Sequence, residues 1–290
     1  MKLAAVTNEV APLTEPGSLD TIIRTALAHG ITTFEARTVE GKRFPLLTGG
    51  AWDILKSARD TYGITYSAAS PGIFIGLTVD SDLAAIHKNQ LWSMTMDMAE
   101  KIGTHTLITF APKRGADDPA EFGRVVDLLG EIVASAEARG FDVQLENLPG
   151  TWADTSKACL DLLQAVNHPE FGYVWDTGNL YEAEQTTFEA GFELLKPYIR
   201  DGCCYTTQPV FRLVCRFHIK RRWPRFSIPR MLSIDGNGSQ VLRGGGLGRR
   251  RNCGLRSAWR RSVAIPLVIA NAASSVLFSS TANGCSRRGC

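Results

Sequence analysis

Strand-like and helix-like segments alternate six times in the first 200 residues, and that alternation leaves few folds open. Apolar runs stand at residues 3–7, 32–36, 64–70, 105–110, 142–147 and 171–176. Each is followed by a stretch with helical spacing of its apolar residues, such as Leu19, Ile22, Ile23, Ala26 and Leu27, or Val125, Leu128, Leu129, Ile132 and Ala136. Strands separated by helical crossovers pair in parallel, so every strand delivers its last residue to the same end of the sheet, where ligands collect. Two strands end in a carboxylate: Asp142-Val-Gln-Leu-Glu146-Asn147 and Phe171-Gly-Tyr-Val-Trp-Asp176. Glu146 and Asp176 are therefore the first candidates for chemistry. The plainer reading is a carboxylate capping the next helix. It is weaker at Glu146, where Leu148-Pro149-Gly150 intervenes, and at Asp176, where Thr177-Gly178 gives no clear helix start.

The helix boundaries carry ordinary punctuation. Gly30, Gly63 and Gly140 stop three of them, and Asp118-Pro119-Ala-Glu121 combines an N-cap, a first-turn proline and an acid at the third position. A long helix from Asp80 sets Leu83, Ile86, Leu91, Met94, Met98 and Ile102 mostly in one stripe, with the methionines as core filler. The last helix is expected over residues 187–198. Six such units in 202 residues average about 34 residues each, and eight would close a (β/α)8 barrel.

The chain of 290 residues is long enough for one large α/β domain. Met1-Lys2-Leu-Ala-Ala-Val runs directly into strand-like sequence, without the pattern of a signal peptide. The apolar run 263–278 is interrupted by Pro266 and Asn271 and is short for a bilayer, so a cytoplasmic protein without a membrane segment is the expectation. The net charge of +3 conceals a split: residues 1–202 carry 16 basic against 28 acidic side chains, and residues 203–290 carry 16 basic against Asp235 alone. Six of the seven cysteines also fall in that tail. Two domains follow: a barrel-like body over 1–202 and an Arg/Cys-rich tail over 203–290.

With both carboxylate strands placed, the body resembles the sugar phosphate isomerase and epimerase group of the xylose-isomerase-like TIM barrels. The matching stretches are Phe34-Glu35-Ala-Arg37 with Gly41-Lys42-Arg43, Leu145-Glu146-Asn147, and Trp175-Asp176-Thr-Gly-Asn179. The resemblance implies one divalent metal held by Glu from strand five, Asp from strand six, His from strand seven and Glu from strand eight. Glu146 and Asp176 would be the first two ligands. Oxygen-rich ligation suits Mn²⁺ or Mg²⁺, with Zn²⁺ as the other candidate. The implied activity is isomerisation or epimerisation of a sugar or related hydroxy-carbonyl compound by proton transfer through an enediolate, with Glu146 also the catalytic proton carrier. Glu35, Lys42 and Asn179 are the candidates for substrate contact. Asn179 stands where the family usually has a substrate-contacting His, and an amide binds a hydroxyl without titrating. Glu35 reads equally as an ion-pair partner of Arg37, and Lys42 as a solvated loop cation unless the substrate bears phosphate.

The fold also hosts zinc endonucleases, which resemble this chain less. Ser67-Ala-Ala-Ser70 and Thr109-Phe-Ala-Pro112 lack the histidines their cluster needs, and His105 lies at the wrong end of its strand. His29, His87 and His168 read as surface or packing residues.

Past Gly202 the resemblance stops. Cys203-Cys-Tyr-Thr-Thr-Gln stands where a strand ending in His is expected, and no glutamate follows Glu193. His218 in Arg216-Phe-His218-Ile-Lys220 is the one late candidate ligand. Three readings of the tail stay open: a slipped reading frame near codon 202, a basic extension that binds nucleic acid through Arg249-Arg-Arg251 and Trp259, or an end without a role. The expectation for the whole is a metal-dependent sugar isomerase or epimerase whose present form, lacking the last two units, is open to being inactive. The rival is a non-catalytic barrel-derived binding protein with a basic tail on nucleic acid. A small sugar is the preferred partner, and a homo-oligomer stays open.

Overall fold

The computed structural model of the protein describes residues 3–8, 15–115, 118–184 and 188–203. The Arg/Cys-rich tail from residue 204, with His218, lies outside the described residues. Seven strands form one sheet in sequence order: β1 (Ala4–Val6), β2 (Thr33–Ala36), β3 (Thr65–Ala69), β4 (Thr106–Phe110), β5 (Asp142–Glu146), β6 (Phe171–Asp176) and β7 (Ile199–Cys203). Every neighbouring pair is parallel. The crossovers are α1 (Ser18–Ala28), α2 (Gly50–Tyr62), α3 (Asp82–Ile86) with α4 (Trp92–Ile102), α5 (Pro119–Glu137), α6 (Ser156–Val166), and α7 (Thr177–Glu184) with α8 (Phe188–Leu195). Among the described residues these seven strands form the ladder of a (β/α)8 barrel up to its seventh strand.

Alternation along each strand divides the core in two. Val143 and Leu145 of β5 join Leu107, Tyr173 and Trp175 in a large cluster with Leu129, Ile132, Val133, Leu162 and Leu163 of the helices. Val6, Ala68, Ile108, Phe110 and Val174 form a separate cluster drawn from strands alone, which is the inside of the curled sheet. The two faces explain the sequence pattern: helix-side positions are mostly apolar, while the inner face admits acids.

The floor of that inner face, at the amino ends of the strands, is polar. Thr106 Oγ1 donates to Asp142 Oδ1 at 2.9 Å, and Gln144 Nε2 donates to Asp142 Oδ2 at 3.3 Å. The Arg200 guanidinium lies 3.9 Å from both the Asp142 and Glu170 carboxylates and donates to the Pro169 carbonyl. Gly172 makes room for it, since a Cβ there would stand 2.4 Å from Arg200 Cδ.

Three elements depart from the sequence expectation. The stretch read as the end of the last helix is strand β7, in which the register shifts so that Arg200 and Asp201 together face Val174. Helix α7 begins at Thr177, directly after Asp176, although Thr-Gly-Asn is a poor helix start by propensity. The long helix after Asp80 is broken by a π-helical turn, His87–Leu91. At that turn His87 Nδ1 accepts the Phe74 N–H at 3.0 Å, and Phe74, fully buried, holds φ +67°. Left-handed backbone at a bulky residue persists only where its surroundings fix it.

Leu129 is fully buried between α5 and the sheet. Leu129→Ala is expected to lower unfolding free energy by about 3 kcal/mol, measured by urea titration. Burial also lowers the pKa of His87. The unfolded ring takes up a proton near pH 6.5 and the folded one only below that, so its contribution to stability is complete above about 6.5 and is lost as pH falls through the folded value. The gap in urea midpoint between wild type and His87→Gln should accordingly narrow from pH 7.5 to pH 5.

Candidate active site

The carboxyl ends of β2, β5, β6 and β7 turn four acids toward the inside of the sheet. Glu35 is level with Val6 and Ala68, Glu146 with Phe110 and Val174, and Asp201 with Val174, while Asp176 stands two residues beyond Val174 on its own strand. Each is at most 1% exposed. The register makes Glu146 and Asp176 diagonal neighbours on adjacent strands, a relation that separates Cβ atoms by roughly 7 Å and lets two carboxylates reach a common point. Asp201 was not singled out from the sequence. The clue lay in Tyr198-Ile-Arg-Asp, which reads as a strand once Pro197 is taken as a helix stop.

Asp176 does cap the next helix: its Oδ1 accepts the Asn179 N–H at 2.9 Å. One such bond takes one of roughly four acceptor positions of a carboxylate. Capping and ligation are therefore compatible here. Asn179 Nδ2 donates to the Asn147 carbonyl at 2.9 Å, which spends its amide group on joining two loops. Lys42 is exposed on a two-stranded ribbon (Thr38–Val39 with Lys42–Arg43) after β2, and its ammonium donates to Thr48 Oγ1 at 2.8 Å. Arg43, not Lys42, ties the ribbon to the sheet: its Nε donates to the Ser70 carbonyl at 3.0 Å. Gly72 lets the guanidinium pass, since a Cβ would lie 2.8 Å from it.

Asn147 is held by several hydrogen bonds at this end. It is fully buried, its Nδ2 donates to the Asp176 carbonyl at 2.8 Å, and its Oδ1 accepts from the Asp176 N–H at 2.9 Å and the Tyr173 hydroxyl at 2.7 Å. Burial raises the Tyr173 phenol well above its usual range, helped by the Cys159 thiol and nearby acids, so it remains a donor. Burial likewise pushes the Cys159 thiol up to about 12, which makes it a packing residue and not a nucleophile.

The loops after β4 and β5 are knitted into a rim over these residues. Lys113 pairs with Thr151, the Arg114 N–H donates to the Gly150 carbonyl at 3.1 Å, and the Trp152 N–H donates to the Pro112 carbonyl at 3.0 Å. Glu121 Oε1 accepts both the Gly115 N–H and the Trp152 indole N–H at 3.0 Å. The Arg114 guanidinium lies 4.4 Å over the Trp152 ring and bonds Asp154 at 2.9 Å.

The donor set fits half of a shell for a hard or borderline divalent ion: two buried carboxylates on neighbouring strands. Among the described residues no group of three His, Cys, Asp or Glu is gathered for a metal. His29, His87 and His168 stand outside the barrel interior, as expected from their helical positions; His168 pairs with Glu137 at 3.2 Å. Among the described residues no helix is long and apolar enough to cross a membrane.

A parallel ladder with acids at its carboxyl end defines a barrel of the (β/α)8 class. The chain belongs to the xylose isomerase-like TIM barrel family, whose model matches residues 23–205. Solved structures agree on the fold. The probable 3-DHS dehydratase AsbF of Bacillus anthracis matches with a TM-score of 0.53 at 22% identity, over 70% of this chain and 72% of that one. D-psicose 3-epimerase of Clostridium cellulolyticum H10 gives 0.55 at 18% identity, over 69% and 71%. The IOLI protein, with a bound zinc atom, gives 0.52 at 20% identity, over 66% and 67%. A comparison with curated protein sequences returns no match.

Tyr173→Phe keeps the ring and removes one donor to Asn147. A stability loss of about 1 kcal/mol by thermal or urea unfolding is expected.

Proposed function

We propose that this barrel acts on a small sugar or related hydroxy-carbonyl compound, moving a proton on the carbon beside the carbonyl, as an isomerase or epimerase does. The observation that carries the reading is the diagonal pair Glu146 and Asp176, buried at the carboxyl end of adjacent parallel strands. The likeness of the fold to D-psicose 3-epimerase supports the substrate class, and that to the zinc-bearing IOLI protein supports a metal. Glu146 and Asp176 would hold a divalent ion, Mn²⁺ or Mg²⁺ by their oxygen donors and Zn²⁺ by that likeness. When bound, the ion supplies positive charge for neighbouring substrate oxygens.

The remaining chemistry belongs to this chain's own side chains. The Glu146 carboxylate takes the proton from carbon and returns it, within reach of the carbonyl that the same site orients. Phe110 and Val174, level with Glu146 on the inner face, keep water from the carbon that loses its proton. Glu35 accepts from a substrate hydroxyl across the barrel. Asn179 meets a hydroxyl through its carboxamide oxygen, and Lys42 serves a phosphorylated substrate from the exposed ribbon. Two of four family ligands make a weak metal shell, so proton exchange is a more sensitive readout than net turnover.

The test is incubation of the 290-residue chain with Mn²⁺ and a panel of ketopentoses and ketohexoses in deuterium oxide, followed by mass spectrometry. Deuterium should enter at the carbon beside the carbonyl, and Glu146→Gln should reduce this by roughly 100-fold or more. Exchange that survives Glu146→Gln, or its absence while Mn²⁺ is bound, would overturn the reading.

A further inference from the structure

The backbone pairing of β5 with β6 runs out at Glu146 and Val174, two residues short of Asp176. Beyond that rung the chain after β5 turns away: the Leu148 N–H bonds the Ala153 carbonyl, closing its own loop at 3.1 Å. In a parallel ladder alternate residues address opposite neighbours, and the Tyr173 N–H bonds the Tyr198 carbonyl on the β7 side. Asp176 therefore addresses the β5 side, where no further strand backbone remains to meet it. The carboxamide of Asn147 occupies that place and bonds both the N–H and the carbonyl of Asp176.

The orientation of the amide is fixed by chemistry. A backbone N–H only donates and a backbone carbonyl only accepts, so the Asn147 atom facing each is determined. Asn179 closes the circuit, with its N–H on Asp176 Oδ1 and its amide on the Asn147 carbonyl. No shorter or charged side chain does this. Serine offers one shorter hydroxyl in place of a separate donor and acceptor, and an aspartate carboxylate has no donor for the carbonyl while adding a second negative charge beside Asp176.

We propose that Asn147 is a positioning residue: by substituting for the missing strand backbone it fixes where the Asp176 carboxylate stands at the mouth of the barrel. This rests on the reading of Glu146 and Asp176 as a metal-holding pair. Residues that orient a ligand in this way affect metal affinity roughly 10–100-fold.

The experiment compares wild type, Asn147→Ala, Asn147→Asp and Tyr173→Phe by electron paramagnetic resonance titration with Mn²⁺, alongside crystal structures of the variants. Tyr173→Phe leaves both bonds to Asp176 in place and serves as the control for mere destabilisation. The expected result is Mn²⁺ binding weakened roughly 10-fold or more in the Asn147 variants, little changed in Tyr173→Phe, and the Asp176 carboxylate displaced in the Asn147 structures. Asn147→Asp, nearly isosteric, carries the test where Asn147→Ala does not fold. A folded Asn147 variant with its Asp176 carboxylate unmoved overturns the proposal, as does one that binds Mn²⁺ like wild type. If wild type itself binds no Mn²⁺, the metal reading fails, and the position of the carboxylate in the variants still decides the role of Asn147.

Discussion

Parallel pairing is the constraint from which the rest follows. It sends every strand end to one side, and it forces side chains level across the sheet to share a face. The rungs Phe110, Glu146, Val174 and Asp201 thus fix a carboxylate on the inner surface two strands from another, before any side-chain preference enters. Burying so many acids is costly unless they are bonded or neutralised. The structure meets that cost locally: Asp176 accepts a backbone N–H of helix α7, and at the floor Arg200 stands between Asp142 and Glu170.

The two ends of the barrel interior divide the labour. At the amino end, Thr106 and Gln144 donate to Asp142 and Arg200 stands between Asp142 and Glu170, an arrangement suited to holding strands in register. At the carboxyl end, loops are stitched by backbone bonds and by Glu121, Trp152 and Arg114, leaving the strand-end acids framed by a fixed rim. Rigid surroundings and a few polar groups facing one point are what a site for a small polar molecule needs.

Much of this was legible from residue order. Glu146 and Asp176 stood out because an apolar run ended on a charge, and six strands and their helices fell within a few residues of their positions. What escaped detection depends on backbone atoms. Asp176 reads poorly as a helix cap because Thr177-Gly178-Asn179 lacks helix propensity, yet its carboxylate accepts the Asn179 N–H and the Asn147 amide holds its backbone where the helix starts. Asn147 looked like a neighbour of a ligand, since nothing in a side-chain pattern reveals an amide standing in for a strand. Strand β7 reads in the sequence as a helix exit because Pro197 and Gly202 bracket it. The xylose isomerase-like resemblance is borne out by the family match, while the roles of Glu35, Lys42 and Asn179 rest on the proposal above.

The register shift in β7 decides which of its two charged side chains faces the inside of the barrel. With one extra residue on that strand, Asp201 is level with Val174 and Arg200 drops toward the floor. Were the strand paired without that shift, Arg200 would be level with Val174 on the inner face and Asp201 would turn to the helices. The extra residue at Arg200 thus decides whether an acid or a base joins Glu35, Glu146 and Asp176 on the inner face, with no substitution of any residue there.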